Sequence, residues 1–117
     1  MKIEIKARRF ALTEGLRQHV VRRLEHALQD YRVWVDRVEV RLGNGNSPRG
    51  GADKSCCVLV RLTTLPPLVI KDLGSDLYAV ISSAADRAGR TVGCRMAQRI
   101  RTKRRFGLES GPRWDNA

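Results

Sequence analysis

Val38-Glu39-Val40-Arg41-Leu42 alternates apolar and charged residues one for one, and the reading of this stretch decides the fold. A period of two is that of a strand with one buried and one solvated face. The pattern extends from Trp34 to Leu42, with Val38, Val40 and Leu42 pointing one way and Arg37, Glu39 and Arg41 the other. Gly43 to Asp53 is dense in Gly, Asn, Ser and Pro, and reads as a mobile hairpin loop. Ser55 to Thr64 forms the next strand, with Cys56, Val58, Val60 and Leu62 on one face and Cys57, Leu59 and Arg61 on the other. Pro66-Pro67 breaks it, and Leu68 to Leu73 makes a short further strand.

On the N-terminal side, Ile3, Ile5 and Ala7 alternate with Lys2, Glu4 and Lys6, so Lys2 to Arg8 is also a half-buried strand. Thr13 stands at an N-cap position with Glu14 in the first turn behind it. A helix is predicted from Glu14 to Tyr31, its core stripe formed by Leu16, Val20, Leu24, Ala27, Leu28 and Tyr31. On the C-terminal side, Gly74-Ser75-Asp76 supplies a turn and an N-cap. Leu77, Ile81, Ala84, Ala88, Val92, Met96 and Ile100 then recur at helical spacing, and the helix is predicted to run to Arg105. Gly89 and Gly93 each cost about 1 kcal/mol relative to Ala in a helix interior; they are expected to let the helix approach the sheet or bend. The class is therefore α+β, in the order β-α-β-β-β-α: a four-stranded sheet with two helices on one face. Residues 1–105 are read as one domain and 106–117, without a sustained period, as a flexible C-terminal tail.

At 117 residues with 42% apolar and 30% charged, the chain is the size and composition of one folded domain. No apolar run is long enough to span a bilayer, and Met1 to Lys6 has no secretory character, so the expected compartment is the cytoplasm. Cys56, Cys57 and Cys94 read as free thiols. A formal net charge of +11 implies a polyanionic partner: RNA, DNA or an anionic membrane surface.

That charge is concentrated. Arg87, Arg90, Arg95, Arg99, Arg101, Lys103, Arg104 and Arg105 carry eight positive charges, and no acid interrupts them. At about 100° per residue, Arg87, Arg90, Arg101 and Arg105 cluster away from the apolar stripe, while Arg95 and Arg99 border it. Guanidinium groups so placed can bind phosphate with two hydrogen bonds each, and RNA contact is the reading preferred to a merely solvated face. Arg8 and Arg9 at the end of the first strand, and Arg22 and Arg23 on the first helix, are second-rank candidates to extend the patch. His19 and His26 are seven residues apart and no cysteines have zinc-finger spacing, so no metal or other cofactor is expected. The scattered His, Cys and carboxylates form no recognised catalytic constellation, and neither enzyme activity nor a small-molecule substrate is expected. Tyr78 and Leu77 read as core residues under the second helix, and the histidines as surface residues.

Several local strings, in this order and spacing, resemble the ribosome hibernation-promoting factor family, also described as sigma-54 modulation or ribosome-associated inhibitor proteins. They are Met1-Lys2-Ile3-Glu4-Ile5, Phe10-Ala11-Leu12-Thr13-Glu14-Gly15-Leu16-Arg17, Arg23-Leu24-Glu25, Val38-Glu39-Val40-Arg41-Leu42, and Asp76-Leu77-Tyr78-Ala79-Val80-Ile81 followed by Asp86-Arg87. The resemblance covers residues 1 to 105 and points to a short form, without the additional C-terminal dimerisation domain of long members. It implies a fold similar to a double-stranded-RNA-binding domain. It also implies a non-catalytic factor that binds the small ribosomal subunit through its 16S-type rRNA, occupies the channel for messenger and transfer RNA, and inhibits translation in hibernation or stress. The isolated protein is expected to be monomeric, with no membrane partner. The residues alone leave as alternatives a general double-stranded RNA or DNA binder, a protein-interaction modulator of a transcription factor and, more weakly, a small RNA-processing enzyme.

Overall fold

The computed structural model describes residues 1–8, 11–44 and 54–105, with side chains described to residue 99 except that of Asn44. Its elements are β1 (Lys2–Arg8), α1 (Glu14–Ala27), a 3-10 turn (Gln29–Trp34), β2 (Val35–Asn44), β3 (Lys54–Leu62), β4 (Leu68–Gly74) and α2 (Leu77–Arg105). The strands form one sheet in the order β1-β2-β3-β4. β1 and β2 are parallel, because α1 carries the chain back between them, whereas β2, β3 and β4 pair antiparallel. Both predicted N-caps form. The Thr13 hydroxyl accepts from the Leu16 amide at 3.1 Å, and the Asp76 carboxylate accepts from the Tyr78 amide at 3.1 Å. Each cap satisfies an amide that the helix itself leaves unpaired.

The inward alternation is as the sequence reads. Val38, Val40, Leu42, Cys56, Val58, Val60, Leu62, Leu68 and Ile70 are buried, and they share one cluster with Leu16, Val20, Leu24 and Leu28 of the α1 segment and Ile81, Ala84, Ala88 and Val92 of α2. Both helices therefore cover one face of the sheet. Cys56 lies in this core, where burial pushes its thiol up to about 12 and leaves it un-ionised and inert.

β2 and β3 differ by one or two residues from the expected bounds, β2 running on to Asn44 and β3 spanning Lys54–Leu62, and three details between α1 and β2 depart further. The first helix stops at Ala27 instead of Tyr31. No glycine follows to end it in one step, and the chain tightens into a 3-10 turn, with the Tyr31 amide donating to the Leu28 carbonyl at 2.9 Å. Trp34 belongs to that turn, so β2 begins one residue later; the Thr63 amide and hydroxyl donate to the Trp34 carbonyl at 2.9 and 3.4 Å, outside the β3 ladder. Finally, Val35 and Val38 both point inward although three residues apart. A bulge between Val35 and Arg37, where the register shifts, absorbs this change of phase.

Gly89 and Gly93 serve a contact between helical segments instead of one with the sheet. A Cβ on Gly89 would stand 2.6 Å from the Ala27 carbonyl oxygen, and one on Gly93 would stand 2.6 Å from the Tyr31 hydroxyl. The end of α1 and the 3-10 turn thus rest directly on the α2 backbone, and α2 continues as one helix through both positions. The two glycines differ in what they face. Ala27 offers main chain, which cannot step aside, whereas Tyr31 offers the far end of a side chain.

Gly89→Ala is therefore expected to destabilise by about 1–3 kcal/mol through overpacking, despite the better helix propensity of Ala. Gly93→Ala should be near neutral, since displacing the Tyr31 hydroxyl is offset by about 1 kcal/mol of propensity. Thermal denaturation separates the two cases: each kcal/mol corresponds to roughly 4–8 °C in a domain of this size.

Candidate nucleic-acid interface

α2 is about 43 Å long at 1.5 Å per residue, and it extends about 20 Å beyond Val92. Val92 is its last fully buried residue among those whose side chains are described. The cationic run begins inside the packed part of the helix and continues along this extension.

Its members have different surroundings. Arg90 is exposed and has no acidic partner among the described residues. Arg87 is exposed but tethered: its Nη1 donates to the Lys71 carbonyl at 2.9 Å and lies 3.9 Å from the Asp72 carboxylate, which ties α2 to β4. Arg99 is half-buried, with Nη1 donating to the Thr64 carbonyl at 3.0 Å. That contact spends one donor and leaves the charge uncompensated. Arg95 is half-buried beside the apolar stripe, as expected. Arg101, Lys103, Arg104 and Arg105 continue the same helix, with side chains outside the described residues.

The second-rank candidates divide. Arg22 is exposed on α1. Arg23 holds Asp86 of α2 with one terminal nitrogen, at 2.9 and 3.1 Å from the two carboxylate oxygens, while its Nε is buried without a partner. A guanidinium committed to a carboxylate is a clamp between helices before it is a phosphate ligand. Arg8 sits on the open face of the sheet, on the opposite side from the helices. Arg9 lies outside the described residues, as do the loop 45–53 and the tail 106–117.

Two residues read as bland have definite structural roles. His19 is half-buried instead of lying on the surface; its Nε2 is 3.2 Å from the Tyr78 carbonyl oxygen and 3.1 Å from the Ser82 hydroxyl. Because a carbonyl only accepts, Nε2 carries the proton in the first of these bonds. Tyr78 is not a core residue. The residue is 46% exposed and its ring meets the His19 ring edge-on, with centroids 4.8 Å apart, because the Asp76 cap turns residue 78 away from the sheet while Ile81 takes the inward position. Among the described residues no group of three His, Cys, Asp or Glu is placed to hold a metal ion, and no helix is long and apolar enough to cross a membrane.

The sequence pattern does not single out Lys6, Arg41 and Lys71. Alternation places Lys6 and Arg41 on polar faces of their strands, but only the pairing register brings them side by side.

By class, then, this is a basic α+β domain: a mixed four-stranded sheet covered on one face by two helices, with its cations concentrated on the second. It belongs to the sigma 54 modulation protein / S30EA ribosomal protein family, whose pattern matches residues 3–100. The fold is similar to that of a ribosomal subunit interface protein from Coxiella burnetii, with a TM-score of 0.69 and 14% identity over 83% of this chain and 99% of that one. It is likewise similar to the N-terminal domain of Protein Y from Thermus thermophilus, with a TM-score of 0.66 and 22% identity over 79% of this chain and 96% of that domain. At these identities the likeness concerns the fold. No curated protein sequence matches the chain.

The Arg23–Asp86 clamp and the solvated Arg90 make opposite predictions for stability. Arg23→Ala should lower the melting temperature by a few degrees, because a partly exposed ion pair contributes about 0.2–1 kcal/mol. Arg90→Ala should leave it unchanged. Thermal denaturation of both variants in the same buffer is the check.

Proposed function

We propose that the chain is a non-catalytic, cytoplasmic ribosome-binding factor that lies on rRNA of the small subunit, obstructs the channel for messenger and transfer RNA, and so inhibits translation during hibernation or stress. Membership of a family described by a ribosomal protein supports the ribosomal part of this reading. The observation that carries the RNA part is the acid-free run of cations from Arg87 to Arg105 on one continuous helix. Such a surface repels itself, and a strand of phosphates relieves that repulsion while releasing counterions.

Within that run the residues divide the work. Arg90 and the cations from Arg101 to Arg105 are the contacts proposed to meet phosphate directly. Arg95 and Arg99 stand at the border of the apolar stripe, where half-burial restricts their side chains and lowers the entropy lost on binding. Arg87, held by β4, positions the helix. Obstruction of the channel needs no bond to be made or broken; a rigid body in the path of the ligands suffices.

The protein is expected to co-sediment with purified small subunits at low salt and to leave them steeply as salt rises, with a log–log slope of about −0.7 to −0.9 per phosphate contacted. Charge reversal at Arg90, Arg101 and Arg105 together should abolish co-sedimentation and restore translation in a cell-free system. Absence of the wild-type protein from small-subunit fractions at low salt would overturn the reading. Equal affinity for short RNA duplexes would point instead to a general double-stranded binder. Indifference to the charge reversal would point to a protein partner.

A further inference from the structure

The uncovered face of the sheet carries its own charge pattern, which appears once the strands are placed in register. Successive transverse rows run Lys2, Arg37 and Arg61; then Glu4, Glu39, Leu59 and Val69; then Lys6, Arg41, Cys57 and Lys71. Arg8 stands at the β1 end of the next row. The first two rows compensate each other: Arg37 lies 3.6 Å from Glu4, and Arg61 donates to Glu39 at 3.1 Å. The third row has no such relief. The side chains of Lys6, Arg41, Lys71 and Arg8 form no ion pair or hydrogen bond among the described residues, and Lys6 and Arg41 are direct cross-strand neighbours. Like charges directly opposite on adjacent strands are destabilising, so the sheet holds this band at a cost.

The band crosses all four strands, three steps of about 4.8 Å, or roughly 14 Å in all. Along the side of the band that faces the Glu39 row the sheet is slightly hollow: a depression of about 180 Å³ is lined by Glu39, Arg41, Cys57, Leu59 and Val69. Its position matters as much as its charge, because it lies on the side of the sheet away from α2.

We infer that the open face of the sheet is a second RNA-contacting surface, in which Lys6, Arg41 and Lys71, extended by Arg8, bind a phosphate backbone independently of α2. This rests on the reading above that the partner is ribosomal RNA, and it deepens it: the domain is gripped from two sides and bridges two RNA segments. The partner is a polyanion with linearly spaced charges, since the cations form a line across the strands. An acidic protein patch would meet the same signs, but the outcomes below distinguish it.

The test compares wild-type protein, a Lys6→Gln/Arg41→Gln/Lys71→Gln variant, and a Glu4→Gln/Arg37→Gln control that removes one compensated pair. Each is titrated into purified small subunits over a range of salt. The triple variant is expected to bind about tenfold or more weakly at low salt and to lose about 2 from the slope of log affinity against log salt; the control should match wild type. Cys57 supplies an independent readout, because it lies within the band while Cys56 is buried and inert and Cys94 is on α2. In a Cys94→Ala background, alkylation of Cys57 should slow at least severalfold when small subunits are bound, and nuclease digestion of the RNA should restore it. A triple variant that is folded by circular dichroism and binds with unchanged slope overturns the second surface while leaving the ribosomal reading intact. Protection of Cys57 that survives nuclease digestion overturns it in favour of a protein contact. Failure of the wild-type protein to bind small subunits overturns both.

Discussion

The placement of α2 depends on the main-chain contact between Ala27 and Gly89. A helix that packs through side chains keeps its partner about 8–10 Å away; removing the Cβ at the crossing lets the end of α1 settle onto the α2 backbone. Around that point the helices are tied by the Arg23–Asp86 ion pair and, nearer the start of α2, by the His19 bonds to Tyr78 and Ser82. The apolar contacts with the sheet do not by themselves fix the direction in which α2 leaves the body, because Ala84, Ala88 and Val92 are small or short; the Arg87 bond to β4 adds a first tie. The polar ties and the glycine contact remove that freedom, so the cations that follow are aimed by the first helix as much as by their own.

Charge in this chain has two kinds of work, and location separates them. Arg23, Arg37, Arg61 and Arg87 sit beside carboxylates, and for each the favourable interaction is already made in the isolated protein. These are surface pairs, individually worth little, but they set geometry: one helix on another, one strand against the next, α2 on β4. Arg90, Lys6, Arg41 and Lys71 have no such partner among the described residues, so their interaction free energy is still available to a ligand. A net charge of +11 thus overstates nothing, yet it does not say which cations act. A guanidinium that has found its carboxylate gains less from a phosphate than one that has not.

The sequence disclosed the fold almost completely because its information is periodic. Val38-Glu39-Val40-Arg41-Leu42 can satisfy its apolar residues only as a strand, and the stripe from Leu16 to Leu28 only as a helix, so the element order and the buried face follow without knowledge of the neighbours. What remained hidden depends on pairs of distant residues. Gly89 and Gly93 stood out in the helix as costs, but what they accommodate lies some sixty residues away on the α1 side, and their benefit is invisible from local spacing. Tyr78 looked like core because it is large and lies next to Leu77; the Asp76 cap decides otherwise. The bulge that keeps Val35 and Val38 both inward leaves no mark beyond a slipped alternation.

The candidate interface follows the same rule. A run of like charge along one helix is contiguous in sequence and can be seen there, including which residues border the apolar stripe. A row across a sheet is assembled from four strands, and three of them contribute one unremarkable charge each to its polar face. Lys6 alternates with Ile5, Arg41 with Val40 and Lys71 with Ile70, and nothing in any one strand distinguishes these cations from the neutralised Arg37 or Arg61. Only the register, set by the parallel β1–β2 pairing and the two hairpins, places Arg37 opposite Lys2 and diagonal to Glu4, with which it pairs, and sets Arg41 opposite Lys6. A one-residue slip would move these side chains to the other face, and a two-residue slip of β1 against β2 would set Glu4 opposite an arginine and part Lys6 from Arg41. The core that fixes the register through Val38, Val40, Val58 and Val60 therefore also fixes where the sheet's free charge collects, so packing on the covered side determines the electrostatics of the open one.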